Sequence, residues 1–460
     1  METPTLLALV FYCAILFLIA IFSYRKQTKA SFLLGNRSLN FYVTALSAHA
    51  SDMSSWIFMG LPAAVYATGL INIWTAIGLL IFMYLNWQFI APRLRKETEK
   101  YNAFTLSEYF EKRFSDQKHT LSLITALFSL IFYIFYICSG LVGMGYLFEI
   151  LFNIEYSIGL FIGILIATLY VFTGGFITIA WTDLFQGLFL LFALILVPIL
   201  AQSDLGAIDV KNDFFRFLET AKSPMAYLLM FGWGLGYFGQ PHILIKFMGI
   251  KDPKDLKKSK YVGMSWLFLS VVFSCLVGLV GKKFFSPALS NEALVYVLMA
   301  KSVLTPFFAS FVLCGVLAAI ISTMNSQILV LSSNVANDLY KNFFHKQATE
   351  KQVVVVSRIA ILLIGIFAYF IAFNRVASIY KLVLFSWSGL GAVFGPLVIL
   401  SLYSKCITKK GAIVGVFVGA CSVFIFEGLN FFFEWAIPPL VPSFFLGLLS
   451  IYAFSQKHHK

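Results

Sequence analysis

Seven consecutive residues, Ala50, Ser51, Asp52, Met53, Ser54, Ser55 and Trp56, place a carboxylate and three hydroxyls inside an otherwise apolar stretch at 41–70. An Asp at the centre of a membrane helix costs about 2.5–3.5 kcal/mol on the insertion scale, so such a group faces a cavity or an ion path. Far downstream, Gly232, Gly234, Gly236, Gly239 and Pro241 interrupt a second apolar stretch. A helix broken at membrane depth frees carbonyls at one half-helix end, which suit a cation. It frees N–H groups at the other end, which suit a carboxylate. The small residues Ala50, Ser51, Ser54 and Ser55 permit close approach, and Pro241 removes a backbone donor. Trp56, Trp233 and Tyr237 then wall an apolar pocket of amino-acid size, although each ring taken singly fits core packing or lipid contact as well. A third stretch carries Ser322 and Thr323, whose hydroxyls project about 100° apart on a helix and can flank one small ion. Bonding back to a carbonyl one turn earlier is the ordinary alternative for such hydroxyls. Asn325 and Gln327 strengthen the polar reading. Two interrupted apolar segments opening two halves of a chain point to a secondary transporter built from inverted repeats.

The elements that must hold these groups are membrane helices. The chain has 460 residues, 60% of them hydrophobic and 12% charged, with a mean hydropathy of +0.86, against about 25% charged in soluble domains. The expected fold class is therefore an all-α polytopic membrane protein. About thirteen spans of roughly 20 residues fall near 5–24, 41–68, 71–92, 120–149, 157–174, 182–201, 224–247, 262–282, 305–335, 353–373, 378–402, 411–431 and 437–455. Arg25 and Lys26 follow the first apolar segment, which lacks a basic lead and a small-residue cleavage site, so it reads as a retained span rather than a signal peptide. Short helices outside the spans are expected within 201–224 and 284–306, the latter starting near Asn291.

Basic residues alternate between loops. Arg25, Lys26, Lys29 and Arg37 follow the first span; Arg93, Arg95, Lys96, Lys100, Lys112, Arg113 and Lys118 the third; Lys251, Lys254, Lys257, Lys258 and Lys260 the seventh; Lys405, Lys409 and Lys410 the eleventh. Intervening loops carry Glu149, Glu155, Asp204, Asp209, Asp213 and Glu219. The positive-inside rule makes the basic set cytoplasmic. The amino terminus is then outside the cell membrane, and the carboxyl end, His458, His459 and Lys460, is cytoplasmic.

Other chemistries find no support. The net charge of +13 does not gather with stacking aromatics on a soluble module, which argues against nucleic acid. Gly234, Gly236 and Gly239 fit a dinucleotide fingerprint, but that motif works only between a strand and a helix. His49, His119, His242, His345, His458 and His459 lack zinc spacing. Cys13, Cys138, Cys275, Cys314, Cys406 and Cys421 show neither metal nor disulfide patterning. No paired nucleophile and base emerges, so no enzyme is expected, and no cofactor. A cation channel would need a continuous polar pore rather than isolated clusters, and a transport-like sensor would need a fused signalling domain.

The stretches LGNRSLNFYVTALSAHASDMSSW, YICSGLVGMGYLFE, TGGFITIAWTD, GWGLGYFGQPHIL and LAAIISTMNSQILVLSSNVANDLY resemble the sodium:solute symporter family, most closely its bacterial sodium/proline branch. The likeness is collinear from about residue 34 to 340 and weaker beyond. It implies a leucine-transporter-type core of two inverted five-helix repeats with discontinuous helices. The division would be a first helix and loop at 1–40, repeats at 41–202 and 224–402, and terminal helices with a short tail at 403–460. By the same resemblance, sodium would be held by the carbonyls of Ala50, Met53 and Ala319 and the hydroxyls of Ser322 and Thr323, with Asp52 as a nearby carboxylate. The substrate pocket would comprise Ser54, Ser55, Trp56, Tyr136, Trp233, Tyr237 and Pro241. Arg37, Asp183 and Gln327 would gate or couple; for Asp183 a plain helix-start charge is the alternative.

Departures from the family pattern are Ser55 and Lys246, where glycine and arginine are usual, and His49, Asn325 and Ser326. They leave the cation site intact and bear on which solute is carried. The resemblance implies sodium-coupled symport of a small amino acid, L-proline foremost, by alternating access. The partners would be that solute, sodium and membrane lipid. The same symporter carrying another small solute, or driven by protons, is the alternative.

Overall fold

The computed structural model describes residues 3–23, 28–203, 216–375, 377–435 and 437–456. Arg25, Lys26, Asp204, Asp209, Asp213 and the ending His458, His459 and Lys460 lie outside the described residues, as do the side chains of Cys13 and Lys29. The described chain is helical throughout, without a strand among the described residues; one parallel bridge joins Leu39 to Ile250. Each segment expected to span is helical over most of its described length. Among the described residues, eight helical elements are long and apolar enough to cross a membrane, and three shorter apolar helices accompany them.

Polar residues mark the ends and apolar residues fill the middles. α1 is Thr3–Ser23 and α2 is Lys29–Leu34. α3, Phe41–Met53, starts at Asn40, whose side chain accepts from the Val43 N–H at 2.9 Å, the usual N-cap satisfaction of a free helix donor. It stops at Ser54, at φ +43° and ψ −160°. A non-glycine residue there carries about 1–3 kcal/mol of strain. After a short wide turn, Trp56–Gly60, the segment resumes as α4, Leu61–Thr68. The first expected interruption is thus a real break, at Ser54 and Ser55.

α5 (Ile73–Leu85), α6 (Ala91–Lys100) and α7 (Leu106–Arg113) lead to α8 (Thr120–Phe152) and α9 (Tyr156–Ser203). The expected spans at 157–174 and 182–201 need no intervening loop: helix continues on both sides of a single residue, Gly175, at φ +64°, a backbone state glycine adopts without a Cβ clash. α10, Pro224–Gly234, gives way to a tight turn over Leu235–Gly239 and an extended Gln240, then to α11, Pro241–Met248. Pro241 stands at the first helical position, where its missing donor is not needed. α12 (Leu256–Phe284) follows. The expected start near Asn291 is present, its side chain accepting from Ala293 N–H ahead of α13, Val295–Val303.

α14, Pro306–Ser333, is buried over nearly its whole length and packs on α1, α3, α8 and α9. α15 (Glu350–Phe373), α16 (Ile379–Tyr403), α17 (Lys409–Phe433) and α18 (Leu440–Gln456) complete the chain. α3, α14, α16 and the broken α10–α11 element form the interior, and α15 and α17 turn broad apolar faces outward.

Candidate functional site

A broken helix must satisfy the backbone groups it frees, since nothing else at membrane depth will. At the first break the Ser54 N–H donates to Thr323 Oγ1 at 3.0 Å and the Trp56 N–H to Ser54 Oγ at 3.2 Å. The Ala50 carbonyl accepts from Ser322 Oγ at 2.9 Å and from Thr323 Oγ1 at 3.4 Å. Both hydroxyls also reach the Ala319 carbonyl, at 3.0 and 3.1 Å. Four oxygens expected around a cation, those of Ala50, Ala319, Ser322 and Thr323, therefore meet between α3 and α14. Each hydroxyl does bond back along its own helix, as the ordinary reading supposes, but it bonds across to the break as well. Neutral oxygen donors of this kind suit a hard cation. The fifth expected donor is placed differently. A trans peptide directs its carbonyl opposite its N–H, so the Ser54 N–H on Thr323 turns the Met53 carbonyl away from that hydroxyl.

At the second break Asn86 Nδ2 donates to the Tyr237 carbonyl at 3.0 Å and the His242 N–H to Tyr133 Oη at 3.0 Å. Trp387 Nε1 donates to the Trp233 carbonyl at 2.7 Å and Gln240 Nε2 to the Trp387 carbonyl at 3.2 Å. The two breaks are joined directly: Tyr237 Oη donates to Asp52 Oδ2 at 2.7 Å, both side chains buried.

A small cavity lies beside this bond, lined by Asp52, Met53, Trp56, Leu79, Tyr136, Trp233, Tyr237, Val383 and Trp387, with a volume of about 10 Å³, roughly room for one water molecule. The Trp56 and Trp233 rings lie 4.8 Å apart, and Tyr237 meets Trp387 edge-on at 5.2 Å. Trp56, Tyr136, Trp233 and Tyr237 are thus gathered as the sequence leads one to expect. Ser54, Ser55 and Pro241 are not on this wall. Ser54 is engaged by Trp56 and Thr323, Ser55 packs toward Gly143 of α8 with its hydroxyl unpartnered among the described residues, and Pro241 lines a separate cleft with Thr105 and Asn334. Trp387, Val383 and Leu79 escaped sequence reasoning. For Trp387 a signal existed: Ser386, Ser388, Gly389 and Gly391 surround it in an apolar helix, the same mixture that marks both breaks.

The three remaining candidates are dispersed. Asp183 is no helix-start charge: it lies inside the α9 run, fully buried, and takes Lys246 Nζ at 3.0 Å and Ser47 Oγ at 2.6 Å on the same oxygen. This knot ties α3, α9 and α11 together. Arg37 donates to the carbonyls of Met248 at 2.8 Å, Thr98 at 3.0 Å and Ala103 at 3.0 Å. Burial lowers its guanidinium to about 10, with Arg95 adding to the effect, so it stays charged at neutral pH. Arg95 Nε reinforces the same corner on the Ile250 carbonyl at 2.8 Å. Gln327 is buried, its amide unpartnered among the described residues.

The model of the sodium:solute symporter family matches residues 32–419. The chain is 39% identical to the high-affinity proline transporter PutP of Bacillus subtilis, covering 95% of each. It is 38% identical to the sodium/proline symporter of Haemophilus influenzae over 99% of this chain and 95% of that one. Among solved structures, a Na+-coupled sialic acid symporter in a substrate-bound, outward-open state superposes with a TM-score of 0.83 at 18% identity, covering 99% of this chain and 98% of that one.

Proposed function

The chain belongs to the sodium:solute symporter family, and on that premise we propose that it carries L-proline into the cell together with sodium. It is a multi-pass transporter of the cell membrane, not an enzyme. The observation that carries the reading is the bond from Tyr237 to Asp52: it joins the two broken helices between the hydroxyl-lined oxygen cluster and a small aromatic-walled cavity.

In this reading sodium is held by Ala50, Ala319, Ser322 and Thr323. The Met53 carbonyl joins them when the Met53–Ser54 peptide turns over, which frees Thr323 from the Ser54 N–H. Asp52 adds negative charge beside the ion without being a direct ligand. Trp56, Tyr136, Trp233 and Tyr237 enclose the pyrrolidine ring. Ser54, Ser55 and Pro241 belong to the two breaks and shape the pocket from behind. Sodium binding orders the first break and so forms the pocket; solute binding then favours closure and opening to the cytoplasm.

Arg37 holds the cytoplasmic side shut by tying the exit of α11 to the α6–α7 connection, and Asp183 with Lys246 keeps α9 and α11 in register. Gln327, unpartnered on α14, is a coupling element that acquires its partner in another state. The thirteen helices cross the membrane with the amino terminus outside and the carboxyl terminus inside. Segments 41–202 and 224–402 form inverted repeats, flanked by 1–40 and 403–460. The bridge between Leu39 and Ile250 supports the inversion: chain entering the first broken helix lies beside chain leaving the second.

The driving force suffices. One charge moving across 100 mV yields about 2.3 kcal/mol and a tenfold sodium gradient about 1.4 kcal/mol, together supporting roughly several-hundred-fold accumulation of a zwitterion. Uptake of labelled L-proline into proteoliposomes, with and without an inward sodium gradient and against a panel of unlabelled amino acids, tests the proposal. Sodium-driven accumulation displaced by proline is expected; sodium-driven uptake of another solute with proline inert would refute the substrate.

A further inference from the structure

The Ala50 carbonyl is free for the oxygen cluster because α3 stops short. In an unbroken helix it would accept from the Ser54 N–H. That N–H instead donates to Thr323 Oγ1 at 3.0 Å, and Ser322 Oγ reaches Ala50 at 2.9 Å. The rotation of the last turn of α3 about its axis then decides where the carbonyl points. A rotation of about 10° carries a backbone atom at the roughly 2.3 Å helix radius through about 0.4 Å. A metal site must hold its distances within about 0.2 Å, so the turn has to be braced. Gly187 of α9 supplies one brace: a Cβ there would come within 3.3 Å of Ala50 Cβ.

The second brace is the adjacent His49, a departure from the family pattern and fully buried. Its ring centre lies 6.0 Å from that of Trp87 and 5.8 Å from that of Trp266 of α12. The space exists because residue 263 is glycine: a Cβ there would stand 2.5 Å from His49 Nε2 and 2.7 Å from Cδ2. Trp87 Nε1 donates to His49 Nε2 at 3.2 Å. Trp87 belongs to a wide turn, Asn86–Ile90, between α5 and α6, an irregularity that recurs at functional sites. The residue before it, Asn86, donates to the Tyr237 carbonyl at the second break at 3.0 Å. Two adjacent side chains of one turn thus hold both interrupted helices.

We propose that His49, held by Trp87 in the space that Gly263 leaves open, is a positioning residue for the coupling cation. It fixes the rotation of the last turn of α3 and so aims the Ala50 carbonyl, and the Asn86–Trp87 pair ties that aim to the second break. The inference rests on the assignment of the Ala50, Ala319, Ser322 and Thr323 oxygens to sodium. His49 is absent from the wall of the aromatic cavity, so this departure from the family pattern acts on the ion and not on the choice of solute.

The test measures uptake against sodium concentration for the full chain in proteoliposomes, beside thermal melts. His49→Phe keeps a ring but no acceptor, and Trp87→Phe removes the donor. In each, the sodium concentration for half-maximal uptake is expected to rise about three- to tenfold, the effect of losing one neutral hydrogen bond. Maximal velocity and the proline KM at saturating sodium stay near wild type. His49→Gln, whose amide oxygen replaces Nε2 as acceptor, keeps the wild-type sodium curve. Gly263→Ala, which drives the imidazole off its place, raises the sodium requirement and lowers the melting temperature. Combining it with His49→Ala recovers the melting temperature but not the sodium response; recovery of both would reduce His49 to packing and overturn the proposal. Wild-type sodium curves in His49→Phe and Trp87→Phe overturn it as well, and so does a His49→Gln curve as poor as that of His49→Phe. Sodium dependence that survives Ser322→Ala with Thr323→Ala would instead defeat the underlying cation assignment, an outcome separate from unchanged His49 and Trp87 variants.

Discussion

The Tyr237 hydroxyl sits 2.7 Å from Asp52 Oδ2 across 185 residues of sequence, a hydrogen bond that runs from one interrupted helix straight to the other. Asp52 follows Ala50, whose carbonyl belongs to the oxygen cluster, and Tyr237 walls the solute cavity. On the proposed assignment, a change of either occupant is felt by the other. In Tyr237→Phe the carboxylate loses a hydrogen bond of the charged kind, about 1.5–3 kcal/mol. The sodium concentration for half-maximal uptake should rise about tenfold or more, by the same energy, and proline KM should rise with it. An unchanged sodium curve would separate the two sites.

Removing both hydroxyls of the oxygen cluster, as Ser322→Ala with Thr323→Ala, deletes the side-chain donors that reach Ala50 and Ala319. Sodium stimulation of uptake should be abolished, with each single variant intermediate. Retention of full sodium dependence in the double variant would show that the ion binds elsewhere.

Lys246 and Asp183 are buried together, at 1% and 0% side-chain exposure. Breaking a buried pair by removing one partner costs about 3–5 kcal/mol because it strands the other charge. Lys246→Met and Asp183→Asn should each lower the melting temperature strongly, and the double variant should be more stable than either. Equal and additive losses in the thermal melts would contradict a paired role.

Gly239 permits a close crossing of the second break over α16: a Cβ there would lie 2.6 Å from the Gly395 nitrogen and 2.8 Å from the Leu390 carbonyl oxygen. Those neighbours are backbone and cannot step aside as a flexible side chain would. Overpacking of this kind costs about 1–3 kcal/mol, so Gly239→Ala should lower both the yield of folded protein and its melting temperature in detergent. A wild-type melting curve would mean that the break yields more freely than its contacts indicate.

Ser55 addresses selectivity. Its side chain is turned to α8, where a Cβ at Gly143 would come within 3.0 Å of Ser55 Cβ, and away from the aromatic cavity. Ser55→Gly should therefore leave the ranking of competing amino acids unchanged, whereas Trp387→Phe, which removes a donor at the cavity wall, should alter it. A selectivity change in Ser55→Gly would place that hydroxyl in the solute's path.

Some of this was legible without a structure, and the reason is physical. Apolar length alone assigns the membrane, because a chain at 12% charge has no soluble way to cover itself. The breaks were legible because Asp52 with its serines, and the run from Gly232 to Pro241, are tolerated at membrane depth only where backbone is already irregular. Ser322 and Thr323 stood out as adjacent hydroxyls on a helix that proved to be buried. The tertiary structure decided everything that depends on which side chains meet. Tyr237 reaches Asp52, Lys246 reaches Asp183, and Ser322 reaches Ala50 over 185, 63 and 272 residues, distances at which local periodicity carries no information about direction. Whether Ser55 faces the solute or Gly143, and whether Trp387 joins the wall, follows from how each helix is rotated by packing against its neighbours. That rotation is a property of the assembled helices, and no single stretch of the chain encodes it.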